Sequence, residues 1–293
     1  ALGYNTTGGS NVAVGHDALL YNTSGKFNVA TGYDALWHNT TAFYNVVSGY
    51  RGGYFNTTGY QNVAEGAEAL FYNTTGYSNA VVGYQAYYNG TSGHGNTAMG
   101  WHALYTNTTG NYNTAIGQSA DVSSAAFTNA TAIGYGTKAD ASNKVRIGNT
   151  SVTSIGGQVS WSVFSDARVK KQIKNNVPGL AFIKLLKPAT YHYDIAKENE
   201  LLGLTGMDES QVNKEFETKL FSGFLAQEVD EAAAKAGYDF SGIDKTGKIM
   251  GLRYAEFVVP LVKSVQELSD MNDELKAKNK ELEARLEKLE TML

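Results

Sequence analysis

A 17-residue interval governs the first half of the chain. Asn11, Asn28, Asn45, Asn62, Asn79, Asn96 and Asn113 keep it, as do Gly15, Gly32, Gly49, Gly66, Gly83, Gly100, Gly117 and Gly134. A second set runs in step: Asn5-Thr-Thr-Gly8, Asn22-Thr-Ser-Gly25, Asn56-Thr-Thr-Gly59, Asn73-Thr-Thr-Gly76 and Asn107-Thr-Thr-Gly110. A fixed period restricts the fold severely, because each unit must offer the same faces to its neighbours and a one-dimensional stack satisfies that. Seventeen residues are too few for a strand plus a helix. They suit one coil of a narrow β-solenoid, with two short strands and two turns.

Within one unit, Asn11 to Phe27, residues Asn11 to Val14 read as a strand ending at glycine. Ala13, Ala30, Ala64, Ala98 and Ala115 take its middle position, with Val47 and Val81 as variants. Side chains alternate across a strand, so this small residue faces a tight interior. Asn-Thr-Thr-Gly is turn chemistry, since Asn caps its own backbone and glycine accepts positive φ. Stacking sets each Asn over the last at roughly 4.8 Å, which predicts an amide ladder along the stack. The Asn-x-Ser/Thr pattern also matches a glycosylation acceptor, but one in nearly every coil fits turn formation better.

The chain changes character near residue 142. Residues 1–142 hold three basic residues (Lys26, Arg51, Lys138) and six acidic ones, leaving 21 and 22 of the chain's 24 and 28 for the remainder. All three prolines (Pro178, Pro188, Pro260) lie in the second part. A net charge of −4 offers no basic field for nucleic acid. With no cysteine there are neither disulfides nor thiolate metal sites. No apolar run approaches the ~18 residues of a membrane span, so no membrane insertion is expected. Ala1-Leu2 stands one period before Ala18-Leu19, so the chain reads as a fragment that starts in mid-repeat.

A single narrow coil hides little apolar surface, which favours several parallel chains sharing an axis. Asn113-Thr-Ala-Ile-Gly-Gln-Ser-Ala120 and Ala130-Thr-Ala-Ile-Gly-Tyr-Gly-Thr-Lys-Ala139 resemble the head repeats of YadA-type trimeric adhesins. Over residues 1–148 the resemblance implies a left-handed parallel β-roll, three copies to an assembly.

Aromatic residues recur in columns. After each glycine stand His16, Tyr33, Tyr50, Ala67, Tyr84, Trp101, Gln118 and Tyr135. Tyr33, Tyr50, Tyr84 and Trp101 are the candidate surface-binding residues, because amphipathic rings bind glycans or protein receptors at low entropy cost. Packing between coils is the plain alternative. Asp17, Asp34 and Glu68 share one column, and neighbours near ~5 Å would suit a retaining glycosidase. Arg51, Gln85 and His102 interrupt that column and no cleft is implied, so a polysaccharide-degrading enzyme stays the alternative reading. The five histidines show no ligand spacing; no metal and no cofactor are expected.

From Asn143 the period stops. Lys144 to Gly148 and Ser151 to Phe164 read as strands that close the roll, 149–164 forming a connector. Ser165-Asp-Ala-Arg-Val-Lys170 then reads locally as a short helix with Ser165 as its N-cap. Pro178 to Leu186 reads as a short helix and Ala189 to Asp194 as a strand. Lys219 to Val229 is a strand entering a helix, Ile243 to Ile249 a hairpin turn, and Arg253 to Leu261 the entry to a last helix. Ser-Asp-x-Arg-x-Lys, Gly-Phe-x-Ala-Gln-Glu-Val and a closing heptad helix together resemble the endosialidase-type intramolecular chaperone that ends many phage tail spikes and fibres and recurs in myelin regulatory factor. The resemblance covers 161–293, with Lys197 to Glu217 standing out as an insertion.

That resemblance implies a module, 165–262, that trimerises the fibre and then cuts itself off at Phe164–Ser165. It places the nucleophile at Ser165 and the general base at Lys170, with Asp166 and Arg168 in support. A serine hydroxyl needs a base nearby, and a lysine serves if burial or neighbouring cations such as Arg168 and Lys171 favour its neutral form. Five residues turn about 500° on an α-helix, so a regular helix would hold the pair apart and the dyad requires a bend, or two chains. Residues 263–293 carry heptads, with Leu268, Leu275, Leu282 and Leu289 at d and Val265, Asn272, Asn279, Leu286 and Leu293 at a. They predict a parallel coiled coil whose two asparagines fix register. The expected protein is the distal part of an extracellular homotrimeric fibre, on a virion tail or bacterial surface, that contacts a glycan or protein receptor.

Overall fold

The computed structural model describes residues 1–203 and 217–292. They separate into two compact units, Ala1–Ile155 with Asp194–Glu217, and Gly156–Tyr193 with Thr218–Leu293. Of the predicted insertion Lys197 to Glu217, residues 204–216 lie outside the described residues, as does the heptad residue Leu293.

The first unit is a parallel β-solenoid. Its strands are β1 (Val12–Val14), β2 (Val29–Thr31), β3 (Val46–Ser48), β4 (Val63–Glu65), β5 (Ala80–Val82), β6 (Thr97–Met99), β7 (Thr114–Ile116), β8 (Asp121–Val122), β9 (Thr131–Ile133), β10 (Lys138–Ala139) and β11 (Val145–Ile147). Nine of them, β1 to β7 with β9 and β11, form one parallel sheet in that order. Each pairs with the strand one coil on, as Ala13 does with Ala30 and Ala98 with Ala115. The last step is shorter, pairing Arg146 with Ala132.

The period explains the interior. The middle residue of each strand faces inward, and Ala30, Ala64, Ala98, Ala115 and Ala132 are fully buried beside Ala18, Leu19, Ala35, Leu36, Leu70 and Leu104. Both predicted asparagine columns are ladders. Asn28 Nδ2 donates to Asn11 Oδ1 at 3.2 Å and Asn45 Nδ2 to Asn28 Oδ1 at 3.1 Å. In the turn column, Asn22 donates to Asn5 at 2.8 Å and Asn39 to Asn22 at 2.7 Å. Each rung contributes about 1 kcal/mol net, and the buried amides would be expensive to leave unpaired. Asn22, Asn39, Asn56, Asn73 and Asn107 are buried, so these turn asparagines offer no exposed glycan acceptor, whereas Asn5 in the first coil is exposed.

The expectation of two strands in every coil holds only near the end, where β8 pairs with β10. Elsewhere the second side is a stack of turns. Leu19, Leu36, Leu70, Leu104 and Tyr87 sit in the left-handed region with φ between 47 and 58°. A non-glycine residue there costs roughly 1–2 kcal/mol, offset here by burying the side chain and by coil-to-coil bonds such as Leu19 N to Ala35 O at 3.0 Å. Glycine is required where coils touch: at Gly32, φ 140°, a Cβ would lie 2.4 Å from the Gly49 carbonyl oxygen.

Two coils depart from the pattern and compensate internally. Val47 replaces the inward alanine, and Gly52 and Gly53 make room for it; a Cβ on Gly52 would stand 2.7 Å from Val47 Cγ1. Tyr87 replaces the inward leucine and lies against Gly90, where the other coils carry asparagine. The Tyr87 hydroxyl fills the missing rung's place and accepts from Asn96 Nδ2 at 3.1 Å.

The helices that follow include α1 (Leu180–Ile183), α2 (Ile195–Leu202), α3 (Ala226–Lys235) and the 33-residue α4 (Val258–Glu290). Helix α2 belongs to the solenoid unit. In the second unit, β12 (Ala189–Tyr191) and β13 (Phe221–Gly223) pair antiparallel, as do β14 (Ile243–Asp244) and β15 (Gly251–Leu252). Phe182, Val229, Ala232, Ala233, Phe240 and Phe257 form its core. Glu267 Oε2 on α4 accepts from Leu180 N at 2.8 Å, fixing α1 against the long helix.

The connector corrects the sequence reading. No strand forms between Ser151 and Phe164. Val159, Trp161, Val163 and Phe164 are 86–97% exposed. The alternation is there, but a strand needs a neighbour to receive its backbone bonds, and one chain supplies none at this point.

Candidate functional site

The Ser165 segment is built by a single 3₁₀ turn, Ala167–Val169, rather than the expected short helix. Asp166, not Ser165, is its N-cap: an Asp166 carboxylate oxygen accepts from Arg168 N at 2.9 Å. Lys170 leaves the turn extended, at φ −104° and ψ 137°. With extended backbone on both sides of so tight a turn, the ends of the motif fold back on one another. Lys170 Nζ donates to Ser165 Oγ at 2.8 Å, so one chain brings the predicted pair together.

Arg168 braces this turn. Its Nε reaches both oxygens of Asp166, at 3.1 and 3.0 Å, and Nη2 completes the ion pair. That hydrogen bonding holds the Asp166 carboxyl below its ordinary range and raises the Arg168 guanidinium. Arg168, expected to act on Lys170, is thus engaged by Asp166. All of residues 161–175 are exposed in the single chain. The arrangement offers an amine within proton-transfer reach of a hydroxyl, on the residue that follows the carbonyl of Phe164.

The four candidate surface aromatics stand outward on the solenoid. Tyr33, Tyr50, Tyr84 and Trp101 are all exposed. Tyr33 stacks between His16 at 4.8 Å and Tyr50 at 5.6 Å, and the Arg51 guanidinium lies 5.1 Å from the Tyr50 ring centre. The column is broken at Ala67. A neighbouring column, Trp37, Tyr54, Phe71, Tyr88 and Tyr105, is continuous, with spacings of 5.0 to 5.6 Å. These rings pack edge to face on a third column, His38, Phe55 and Tyr72, and brace the coils.

Sequence reasoning missed what happens where the third column ends. Tyr72 stacks on Phe55 at 5.4 Å, but the next two rungs are Asn89 and Thr106. Loss of the rings leaves an open notch of about 630 Å³ lined by Phe55, Tyr72, Tyr105, Asn89 and threonines. The signal in the sequence is the interrupted period of this column, aromatic from Tyr4 to Tyr72 and then Asn89 and Thr106.

The shared column of carboxylates makes coil-to-coil contacts. Asp34 pairs with Arg51 at 3.4 Å and Glu68 accepts from Gln85 at 2.6 Å. His16, Asp17 and Asp34 could each offer one ligand atom within 4.8 Å, although Asp34 already engages Arg51 and His16 stacks on Tyr33.

The fold and site therefore define a β-solenoid chain with a C-terminal mixed α/β unit, entered through a turn that sets a lysine on a serine. Residues 165–238 match the family described as chaperone of endosialidase. The matched stretch opens on Ser165 and runs through α3. No curated protein and no solved structure matches the chain. Among the described residues, no helix is long and apolar enough to cross a membrane.

Proposed function

We propose that this chain is the distal part of an extracellular homotrimeric fibre that recognises a cell surface, on a phage tail or bacterial surface. Its C-terminal part is an intramolecular chaperone that drives assembly and cuts the chain once at Phe164–Ser165. The carrying observation is what one chain leaves uncovered. The alternating connector has no strand partner, and Val258, Leu261, Val265, Leu268, Leu275, Leu282, Leu286 and Leu289 form an exposed heptad seam along α4. Such a seam is stable when it meets copies of itself. Non-local pairing among separate chains is slow, so a C-terminal clasp that sets register first lets the solenoid associate from that end.

The chemistry follows from the dyad. Neutral Lys170 takes the Ser165 Oγ proton as Oγ attacks the Phe164 carbonyl carbon through a five-membered ring. The bond to the Ser165 nitrogen breaks, that nitrogen is protonated, and the Phe164 acyl group remains on Oγ as an ester. One water then hydrolyses the ester, leaving a carboxylate on Phe164 and a free amine and hydroxyl on Ser165. The match to the chaperone family begins at Ser165, which supports this placement.

A denaturing gel beside a native mass measurement tests the whole reading. The expected result is two fragments meeting at Phe164–Ser165 and a native mass of three copies. A folded monomer with an intact solenoid overturns it. Two substitutions extend the test. Leu268→Asp with Leu275→Asp should abolish the trimer in native mass, because each places a charge in the seam. Combined Tyr33→Ala, Tyr84→Ala and Trp101→Ala should weaken binding to target cells by at least about tenfold, the scale for losing ring anchors. Unchanged binding excludes that column as the recognition surface, and Tyr72→Ala measures the notch separately.

A further inference from the structure

Helix α2 is out of place for a piece of the C-terminal module. The chain before it, Gly156–Tyr193, and after it, Thr218–Leu293, belongs to the second unit, yet Asp194–Glu217 belongs with the solenoid. The helix is well formed for its eight residues: Asp194 caps it by accepting from Lys197 N at 2.8 Å, and Gly203 closes it in the left-handed region.

Its contacts fall on the last coils. Thr150 Oγ1 donates to Asn199 Oδ1 at 3.2 Å, and Lys138 Nζ reaches the Gly203 carbonyl at 3.4 Å. Burial against the coils raises the Glu198 carboxyl, with the charge of Arg146 on β11 acting in the opposite sense, and Ile195 is wholly buried. This is the end where a solenoid needs help. The last strand of a parallel stack has no successor, and an uncovered terminal coil exposes backbone groups and interior alike. The final coil is already modified there, with Asp140 buried and bonded to Arg146 at 3.1 Å.

We infer that α2 is the terminal cap of the solenoid, carried by the segment on the far side of Phe164–Ser165, so that after the cut the C-terminal fragment stays bound to the solenoid through it. The inference rests on the proposed cut for its biological setting only. Its partner is this chain's own N-terminal fragment, read through Thr150, Arg146 and Lys138.

The test makes the cut by other means. In a Ser165→Ala background, a recognition sequence for a specific protease is inserted in the exposed stretch 156–160, and the folded full-length protein is cleaved. The N-terminal fragment is held on a support by a tag, and the C-terminal fragment remaining after dilution is measured. Retention is expected. Asn199→Ala should speed release about fivefold, the equivalent of one neutral hydrogen bond. Ile195→Asp should speed it on the order of a hundredfold by placing a charge in an apolar contact. Thr150→Ala combined with Asn199→Ala should cost no more than either alone. Prompt release of the unsubstituted fragment overturns the inference. So does retention unaffected by both Asn199→Ala and Ile195→Asp, since the fragment would then be held elsewhere. If Ile195→Asp fails to fold before cleavage, the Thr150–Asn199 pair decides alone. None of these outcomes depends on whether Ser165 cuts the native chain.

Discussion

Ser165→Ala should leave the chain whole at 31.5 kDa, where the proposed cut would make the native protein run as two fragments. The substitution removes the attacking oxygen and little else: Ser165 is exposed and its partner in the single chain is the equally exposed Lys170. Assembly should therefore survive, and native mass of the uncut variant should still report three copies. Lys170→Arg gives the complementary result. A guanidinium keeps the charge but does not accept a proton at any useful pH, so cleavage should stop although the hydroxyl remains. Continued cleavage of Ser165→Ala at the same bond would refute the assignment. Arg168→Ala should slow the reaction without abolishing it, since Arg168 braces the turn through Asp166.

The second large effect lies inside the solenoid. Gly90→Asn, which restores the consensus residue, should be severely destabilising. A Cβ at this position stands 2.4 Å from the Tyr87 ring, in an interior with no room to yield. Overpacking of this kind costs about 1–3 kcal/mol, and the clash with a sealed ring belongs at the upper end. Tyr87→Leu alone should also destabilise, since it empties the space that the hydroxyl occupies and removes the partner of Asn96. Together the two changes should recover or exceed native stability. Asn73 Oδ1 is a buried acceptor without a partner among the described residues, and a new asparagine at position 90 would donate to it. Apparent melting temperatures should rank Gly90→Asn lowest, then Tyr87→Leu, then the native chain, with the double variant at or above it. A double variant no better than Gly90→Asn would show that the Tyr87–Gly90 pair is not a unit.

Much of this was legible from the order of residues. The 17-residue interval predicts coil, register and both amide ladders, because identical side chains repeated along a stack must meet. The inward alanine column was equally plain. The second side of each coil was not: Leu19 and Asp17 carry no sequence mark of a left-handed backbone, and only coil-to-coil bonds that outweigh the strain hold them there. At the candidate site the pair Ser165 and Lys170 was legible through a resemblance. Its geometry was not, because assuming a regular helix pointed the two side chains apart, whereas a three-residue turn between extended segments brings them together. The connector's alternation reads as a strand, but none forms in the single chain, because strand formation depends on partners that a sequence does not count. The solenoid-bound position of α2 had no signal beyond a segment that fitted its surroundings poorly.

The missing rung also has a mechanical consequence. In a fibre loaded along its axis, tension passes from coil to coil through rows of hydrogen bonds that must all rupture before two coils separate. The first four junctions each hold a sheet row and two amide rungs. Between the coils of Asn73 and Gly90 one rung is absent, and Tyr87 secures only the later side. That junction is weaker than the four before it, and under a steady pull it parts before they do.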